Sequence, residues 1–76
     1  ASEMARVPRE VLMRFVSELP EGYRTVFNLY AIEGYSHSEI AEMLHISEVT
    51  SRTQFIRARK VLQKSVQSLI MHEDAQ

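Results

Sequence analysis

Hydrophobic residues recur at helical spacing along the chain, and short polar or helix-breaking segments divide them into separate runs. The first run lies between Val11 and Val16. Pro8 precedes it and fits the first turn of a helix, where a missing N–H does no harm. Pro20 disfavours helical geometry at Leu19. The pattern therefore predicts a first helix from Pro8 to about Glu18.

The second run predicts a helix from about Glu21 to Glu33, ended by a left-handed cap at Gly34. Five positions follow the i, i+3, i+4, i+7, i+8 spacing of a core-facing helix: Tyr23, Val26, Phe27, Tyr30 and Ala31. Leu29 and Ile32 make this helix apolar beyond a single stripe. Burial between helices and an exposed patch for a protein partner explain the extra apolar surface equally well.

Two helix starts follow within residues 36 to 60. Ser36 and Glu39 have the spacing of a capping box, which marks the start of a short helix. His45 and Ile46 interrupt the apolar pattern, and Ser47 offers a second N-cap. A short helix, a tight turn and a longer helix form a helix-turn-helix, whose second helix can lie in the major groove of DNA.

The second of these helices has an apolar face and a basic face. The predicted inward residues lie within about a quarter-turn of one another: Ser51, Phe55, Ala58, Leu62 and Leu69. The predicted outward residues are Val49, Arg52, Thr53, Ile56, Arg57 and Lys60. From Val49 to Met71 the chain has five basic residues and no acidic one, so this face would attract the phosphate backbone. A solvated helix face is the simpler alternative.

Several segments of the chain resemble the C-terminal promoter-recognition domain, region four, of bacterial sigma factors, in particular the extracytoplasmic-function group. The most specific are Leu19-Pro20-Glu21 and Arg57-Ala58-Arg59 at its two ends; Gly34-Tyr35-Ser36 and Glu39-Ile40-Ala41-Glu42 lie between them. The resemblance covers about residues 8 to 66. It implies an all-α, four-helix domain with a C-terminal helix-turn-helix, winged-helix-like but without the wing.

The resemblance also implies how DNA is bound, by a sigma factor that directs RNA polymerase to the minus thirty-five promoter element. The predicted base contacts are Val49, Arg52, Thr53, Gln54 and Ile56. The predicted phosphate contacts are Arg57, Arg59 and Lys60, with Ser36, His37 and Ser38 at a helix N-terminus that favours anions. The implied partners are promoter DNA, core RNA polymerase through its β-subunit flap, and an anti-sigma factor.

Three positions depart from the usual pattern of this family. His45 stands where glycine is common, so a non-glycine residue must adopt the geometry of the turn. Ser51 stands where Val or Ile is usual, which removes an apolar partner from Ile46. Gln54 stands where Arg is frequent, and glutamine can read adenine. These changes affect the expected DNA sequence more than the expected fold.

Composition narrows the classes of protein to which the chain could belong. The 76 residues suffice for one small domain, which we place at 8–72 between a linker at 1–7 and a tail at 73–76. The net charge of −1 is unevenly distributed, with eight acidic and four basic residues before Val49. The three histidines lack metal-ligand spacing and no cysteine joins them, so we expect no metal, no cofactor and no enzyme activity. No apolar run could span a membrane, and the resemblance implies a cytoplasmic location.

Two rival functions remain open at the level of sequence. One is the DNA-binding domain of a LuxR-type response regulator, which would bind a palindromic site as a dimer. The Arg57-Ala58-Arg59 segment counts against it. The other is a protein-interaction module that keeps the helical scaffold without DNA contact, in which replacement of Arg52 would leave function unchanged.

Overall fold

The computed structural model describes residues 6–74, with side chains for residues 6–71. Within this part of the chain all regular structure is helical: α1 (Arg9–Ser17), α2 (Glu21–Phe27) with a π-helical continuation (Asn28–Ile32), α3 (His37–Leu44) and α4 (Glu48–Asp74). The predicted all-α, four-helix class is therefore confirmed. The helix-turn-helix consists of α3 and α4.

Proline residues define the first two helices. Pro8 is the N-cap residue of α1, and its carbonyl accepts hydrogen bonds from the N–H groups of Val11 and Leu12, each at 3.1 Å. Leu19 lies between α1 and α2 and is 4% exposed, so the break itself contributes to the core. Pro20 is the N-cap residue of α2. The predicted break at this dipeptide is confirmed.

The predicted second helix is regular only as far as Phe27. It then widens into the π-helical turn, with a hydrogen bond from the N–H of Glu33 to the carbonyl of Asn28 at 2.9 Å. A wider turn rotates the following residues away from their positions in a regular α-helical pattern. Ala31 is consequently exposed and Tyr30 is 38% exposed, so their predicted place in the core is wrong. Gly34 ends this segment at φ 84°, the left-handed geometry predicted for it.

The core forms where α1 and α2 pack against α4. Its fully enclosed cluster is Val16, Leu19, Phe27, Ala58 and Leu62, with Phe15, Tyr23 and Phe55 packed around it. The rings of Phe27 and Phe55 stack with centroids 5.7 Å apart. The buried side of α4 continues at Val66 and Ile70, which extends the inward face beyond the residues predicted for it. The helix α4 therefore supplies more buried residues than any other element of the described chain.

The last helix extends beyond the predicted end of the domain. It runs through Asp74, past the expected boundary at residue 72, so the predicted tail begins as helix. The predicted linker at 1–7 lies mostly outside the described residues. In the part of the chain that the structure covers, no helix combines the length and the apolar character needed to cross a bilayer.

Candidate nucleic-acid interface

The turn between α3 and α4 is closed by backbone geometry and a serine cap. His45 adopts the left-handed conformation, φ 57° and ψ 44°, and its N–H donates to the carbonyl of Ala41. The prediction that a non-glycine residue takes the strained geometry of the turn is confirmed. Ser47 then caps α4, because its Oγ accepts a hydrogen bond from the N–H of Thr50 at 2.9 Å. These contacts fix where the second helix begins.

The first helix of the pair begins with the predicted capping box. The N–H of Glu39 donates to Ser36 Oγ at 3.1 Å, and the N–H of Ser36 donates to Glu39 Oε1 at 3.0 Å. The hydrogen bond from the Ser36 backbone, followed by that of its side chain, lowers the pKa of Glu39. Ser36 and Ser38 are exposed beside this helix end. They lie where a phosphate could approach the N-terminus of α3.

His37 ties the two helices of the helix-turn-helix together. Its Nδ1 is 2.8 Å from the Oγ of Ser51, which is fully buried in α4. Its ring stacks on Tyr30, with centroids 4.1 Å apart and planes 6° from parallel. The ring of Phe55 lies edge-on to the same imidazole, with centroids 5.9 Å apart. His37 is thus half-buried, and only its second ring nitrogen remains for the phosphate contact predicted for it.

The hydrogen bond between His37 and Ser51 explains why a serine can lie on the inner face of α4. A buried hydroxyl without a partner destabilises a fold by about 1–3 kcal/mol. Ser51 avoids this cost because it is hydrogen-bonded to His37. Burial, followed by the positive charge of Arg52, lowers the pKa of His37, and Glu48 opposes the shift. A neutral imidazole is therefore favoured at the junction of α3 and α4.

The outward edge of α4 presents most of the predicted DNA contacts. Val49 is 64% exposed and Ile56 is 54% exposed, although both are apolar. The side chain of Arg52 is 49% exposed on the same edge, and Thr53 is partly buried beside it. The three predicted phosphate-binding residues of this helix are all exposed: Arg57, Arg59 and Lys60. Side chains that can bind base edges and phosphates are thus brought together on one side of the helix.

Gln54 is placed differently from the other predicted base contacts. Its Oε1 is buried without a hydrogen-bond partner, and this oxygen would lie 3.5 Å from a Cβ added to Gly22 in α2. The side chain therefore packs toward α2 instead of the outward edge, which argues against a base contact. Its spacing gives the physical reason, because Gln54 is three residues after Ser51 and four before Ala58, both fully buried.

Glu48 is a residue of this surface that the sequence pattern did not single out. Its Oε1 lies 3.1 Å from Nη1 of Arg52, and both side chains are about half exposed. The signal was available, since a Glu followed by an Arg four residues later forms a pair on one helix face. Both residues border an open groove of about 630 Å³ that reaches the N-terminus of α3. Glu39 and His37 line the same groove.

Tyr30 is a residue of this site that sequence reasoning assigned incorrectly. The helical pattern placed it in the core of α2, whereas it forms the platform under His37 and also contacts Phe55 at 4.7 Å. No sequence signal marks the π-helical turn that puts it there.

Among residues 6–71, no group of three or more His, Cys, Asp or Glu side chains is placed to hold a metal ion.

Known proteins resemble the chain over the same region. The family described as sigma-70, region 4 matches residues 9–62. The ECF RNA polymerase sigma-E factor of Escherichia coli K12 is 34% identical over 62 residues, which cover 82% of this chain and 32% of that protein. The ECF RNA polymerase sigma factor SigM of Bacillus subtilis is 35% identical over 54 residues, covering 71% and 33%. No solved structure matches significantly.

The chain spans about a third of the length of these relatives, so the match concerns one region of each. The matched region begins at α1 and ends inside α4, so it includes all of α3, the turn and the N-terminal half of α4. The two rival classes, response regulators and protein-interaction modules, are not favoured by these matches. The chain therefore belongs to the sigma-70 region 4 family, within its extracytoplasmic-function group.

Proposed function

We propose that this chain reads the minus thirty-five promoter element for a sigma factor that directs RNA polymerase to start transcription. The observation that carries the proposal is the outward edge of α4, where Arg52 and Ile56 stand exposed on a helix anchored by its opposite face. A recognition helix needs both properties, because its outer side chains must enter the major groove while the helix is held in a fixed position.

Base and phosphate contacts are divided along this surface. Arg52 offers a fork of donors suited to guanine, and Thr53 and Ile56 can contact thymine methyl groups. Val49, near the start of α4, is the fourth base-contact candidate. Phosphates would be held by exposed cations on α4 and by the N-terminus of α3: Arg57, Arg59, Lys60, Ser36, His37 and Ser38.

The protein partners are part of the same proposal. The ECF relatives are named as RNA polymerase sigma factors, which supports core polymerase as the partner of this chain. We assign the β-subunit flap and an anti-sigma factor as the direct protein contacts. Ile32 supports this assignment because it is 43% exposed at the end of the π-helical turn. Exposed apolar area is typical of a surface that binds a protein partner. This activity would take place in the cytoplasm.

The test is DNA binding by two variants of exposed α4 residues. The chain is first given a randomised duplex library at low salt, to select its preferred site. Arg52→Ala should then weaken binding to that site by about 1–3 kcal/mol and relax the preference at one position. Lys60→Ala should weaken binding to all duplexes and lower the slope of log K against log salt by roughly one. Fluorescence anisotropy over a salt series measures both effects.

Two results would contradict the proposal. An Arg52→Ala variant that binds as tightly and as selectively as the unmodified chain would show that Arg52 does not read a base, which removes the observation that carries the proposal. A dimer in sedimentation equilibrium bound to a palindromic site would favour a response-regulator domain. We expect a monomer on a non-palindromic site.

A further inference from the structure

We propose that Glu48 determines part of the DNA specificity, by accepting a hydrogen bond from the amino group of a cytosine next to a guanine bound by Arg52. The inference rests on the proposed function and deepens it. Glu48 is the first residue of α4, and no other acidic residue follows until after Met71. Between Glu48 and Met71, Glu48 is thus the one carboxylate that α4 would present to the major groove of DNA.

The position of Glu48 suits contact with bases more than contact with the backbone. The N-terminal residues of a recognition helix are the ones that reach base edges. The Glu48 side chain is 51% exposed and leans toward Arg52, four residues along the same face. The phosphate backbone would repel a carboxylate here, so Glu48 lowers general affinity for DNA. It can gain binding energy only where a base offers a hydrogen-bond donor.

The chemistry of the major groove selects cytosine as that base. An ionised carboxylate only accepts hydrogen bonds. The donors on the base edges of the major groove are the N4 amino group of cytosine and the N6 amino group of adenine. Adenine also presents the N7 acceptor beside its amino group, and this lone pair repels a carboxylate. Cytosine presents the donor without that neighbouring acceptor, so a carboxylate favours it.

The distance within the ion pair suits two neighbouring base pairs. Nη1 of Arg52 and Oε1 of Glu48 are 3.1 Å apart. This separation is close to the rise of about 3.4 Å between stacked bases. Arg52 uses one of its donors on Glu48, and its remaining N–H groups are available to O6 and N7 of guanine. The ion pair also holds both side chains on the same edge. Glu48 and Arg52 can therefore read adjacent bases as a unit.

A change of base preference tests this assignment. The unmodified chain, Glu48→Gln and Glu48→Ala are each incubated with a randomised duplex library at low salt, and the bound duplexes are sequenced. Because glutamine binds adenine through N6 and N7, Glu48→Gln should move the preference at one position from cytosine toward adenine. The ratio of cytosine to adenine there should fall roughly fivefold or more, the lower limit for a direct base contact. Glu48→Ala should flatten the preference at that position.

Glu18→Gln is the matched control, since Glu18 is an exposed carboxylate at the end of α1 and outside the helix-turn-helix. Removal of its charge should change affinity slightly and leave base preference unchanged. If Glu48→Gln strengthens binding to all duplexes equally, Glu48 acts only as a counter-charge to Arg52 and the inference is overturned. A selected site without a cytosine beside a guanine also overturns it, while the proposed function stands. Absence of any sequence preference in the unmodified chain overturns both.

Discussion

The imidazole of His37 is bonded to Ser51 in α4 and stacked on Tyr30 in the π-helical turn, so three elements meet at one titratable ring. A charge on this ring would lie next to Arg52, whose positive charge already disfavours protonation. Glu48, which lines the same groove as His37, partly offsets this repulsion. The protonation state of a single residue therefore bears on the packing of the helix-turn-helix.

We expect the domain to lose stability as the pH falls through the range in which free histidine titrates. Burial and Arg52 lower the pKa of His37. The unfolded chain therefore binds a proton at a higher pH than the folded chain does. The stability that His37 contributes is fully present above the pKa of histidine in the unfolded chain, about 6.5. It decreases as the pH falls below that value. Urea unfolding at pH 7.5 and at pH 5.5 measures the loss.

The variant His37→Gln serves as the control for this effect, since it removes the titration at that position. The difference in unfolding free energy between the unmodified chain and the variant should shrink as the pH falls from 7.5 to 5.5. A difference that stays constant, or grows, over this range would show that His37 does not couple protonation to folding.

The local spacing of residues was sufficient to identify most caps and outward-facing positions. The Ser36–Glu39 capping box, the Gly34 cap and the exposed positions of Arg52 and Ile56 follow from local spacing, and the structure has them. The buried pairing of Ser51 with His37 does not follow in the same way. It depends on which residues of α3 face α4, and that is decided by tertiary packing.

At the scale of elements, α2 shows where helical periodicity stops being informative. Tyr23, Val26 and Phe27 are buried or half-buried as their spacing predicts. Beyond Phe27 the hydrogen bonds of the π-helical turn span one residue more, so the same spacing points Tyr30 and Ala31 outward. Neither Gly nor Pro marks this change in the sequence of Asn28–Ile32. Its benefit, a platform for His37, is visible only in three dimensions.

The variant Gly22→Ala should stabilise the domain by about 0.5–1 kcal/mol, because alanine reduces the conformational freedom of the unfolded chain and favours the helix. Gly22 lies inside α2. An added Cβ would lie 3.5 Å from Gln54 Oε1 and 3.9 Å from its Cδ, which is ordinary van der Waals contact. The midpoint of urea unfolding should rise without a change in slope.

The variant Gly34→Ala is the matched control for this prediction. No atom lies within 4 Å of a Cβ added at Gly34, but its φ of 84° is unfavourable for any residue with a side chain. The same substitution should therefore destabilise the domain by about 1–2 kcal/mol. Equal effects at the two glycines would contradict the assigned role of backbone geometry.

At the scale of the whole molecule, α4 both supports the core and carries the candidate DNA contacts. The helix contains 27 residues. At the rise of an α-helix this length corresponds to about 40 Å, and the longest dimension of the molecule is 47 Å. Ala58 and Leu62 are fully buried, as are Ser51 and Val66 on the same helix. The opposite edge carries the candidate contacts, so α4 serves two roles at once.

Replacement of one apolar residue on each side of α4 should separate these roles. Leu62 is fully buried, whereas Ile56 is 54% exposed. Leu62→Ala should reduce the free energy of unfolding by about 2–5 kcal/mol, a large part of the stability of a small domain. Ile56→Ala should change that free energy by about 0.5 kcal/mol or less, as expected for a surface position. Its effect should appear in DNA affinity.

Urea unfolding and anisotropy, performed on both variants, measure the two quantities. Binding by Leu62→Ala is compared under conditions where circular dichroism shows that it is folded. Loss of stability in Ile56→Ala equal to that in Leu62→Ala would mean that Ile56 is needed for packing.

The exposure of Val49, Arg52 and Ile56 has a consequence for how such domains diversify. These side chains make few packing contacts within the protein. New combinations of residues at the three positions can therefore arise without loss of stability. Duplicated copies of one ancestral gene could then acquire distinct target sites through a few neutral steps. Paralogues with unlike regulons and nearly superimposable interiors are the expected outcome.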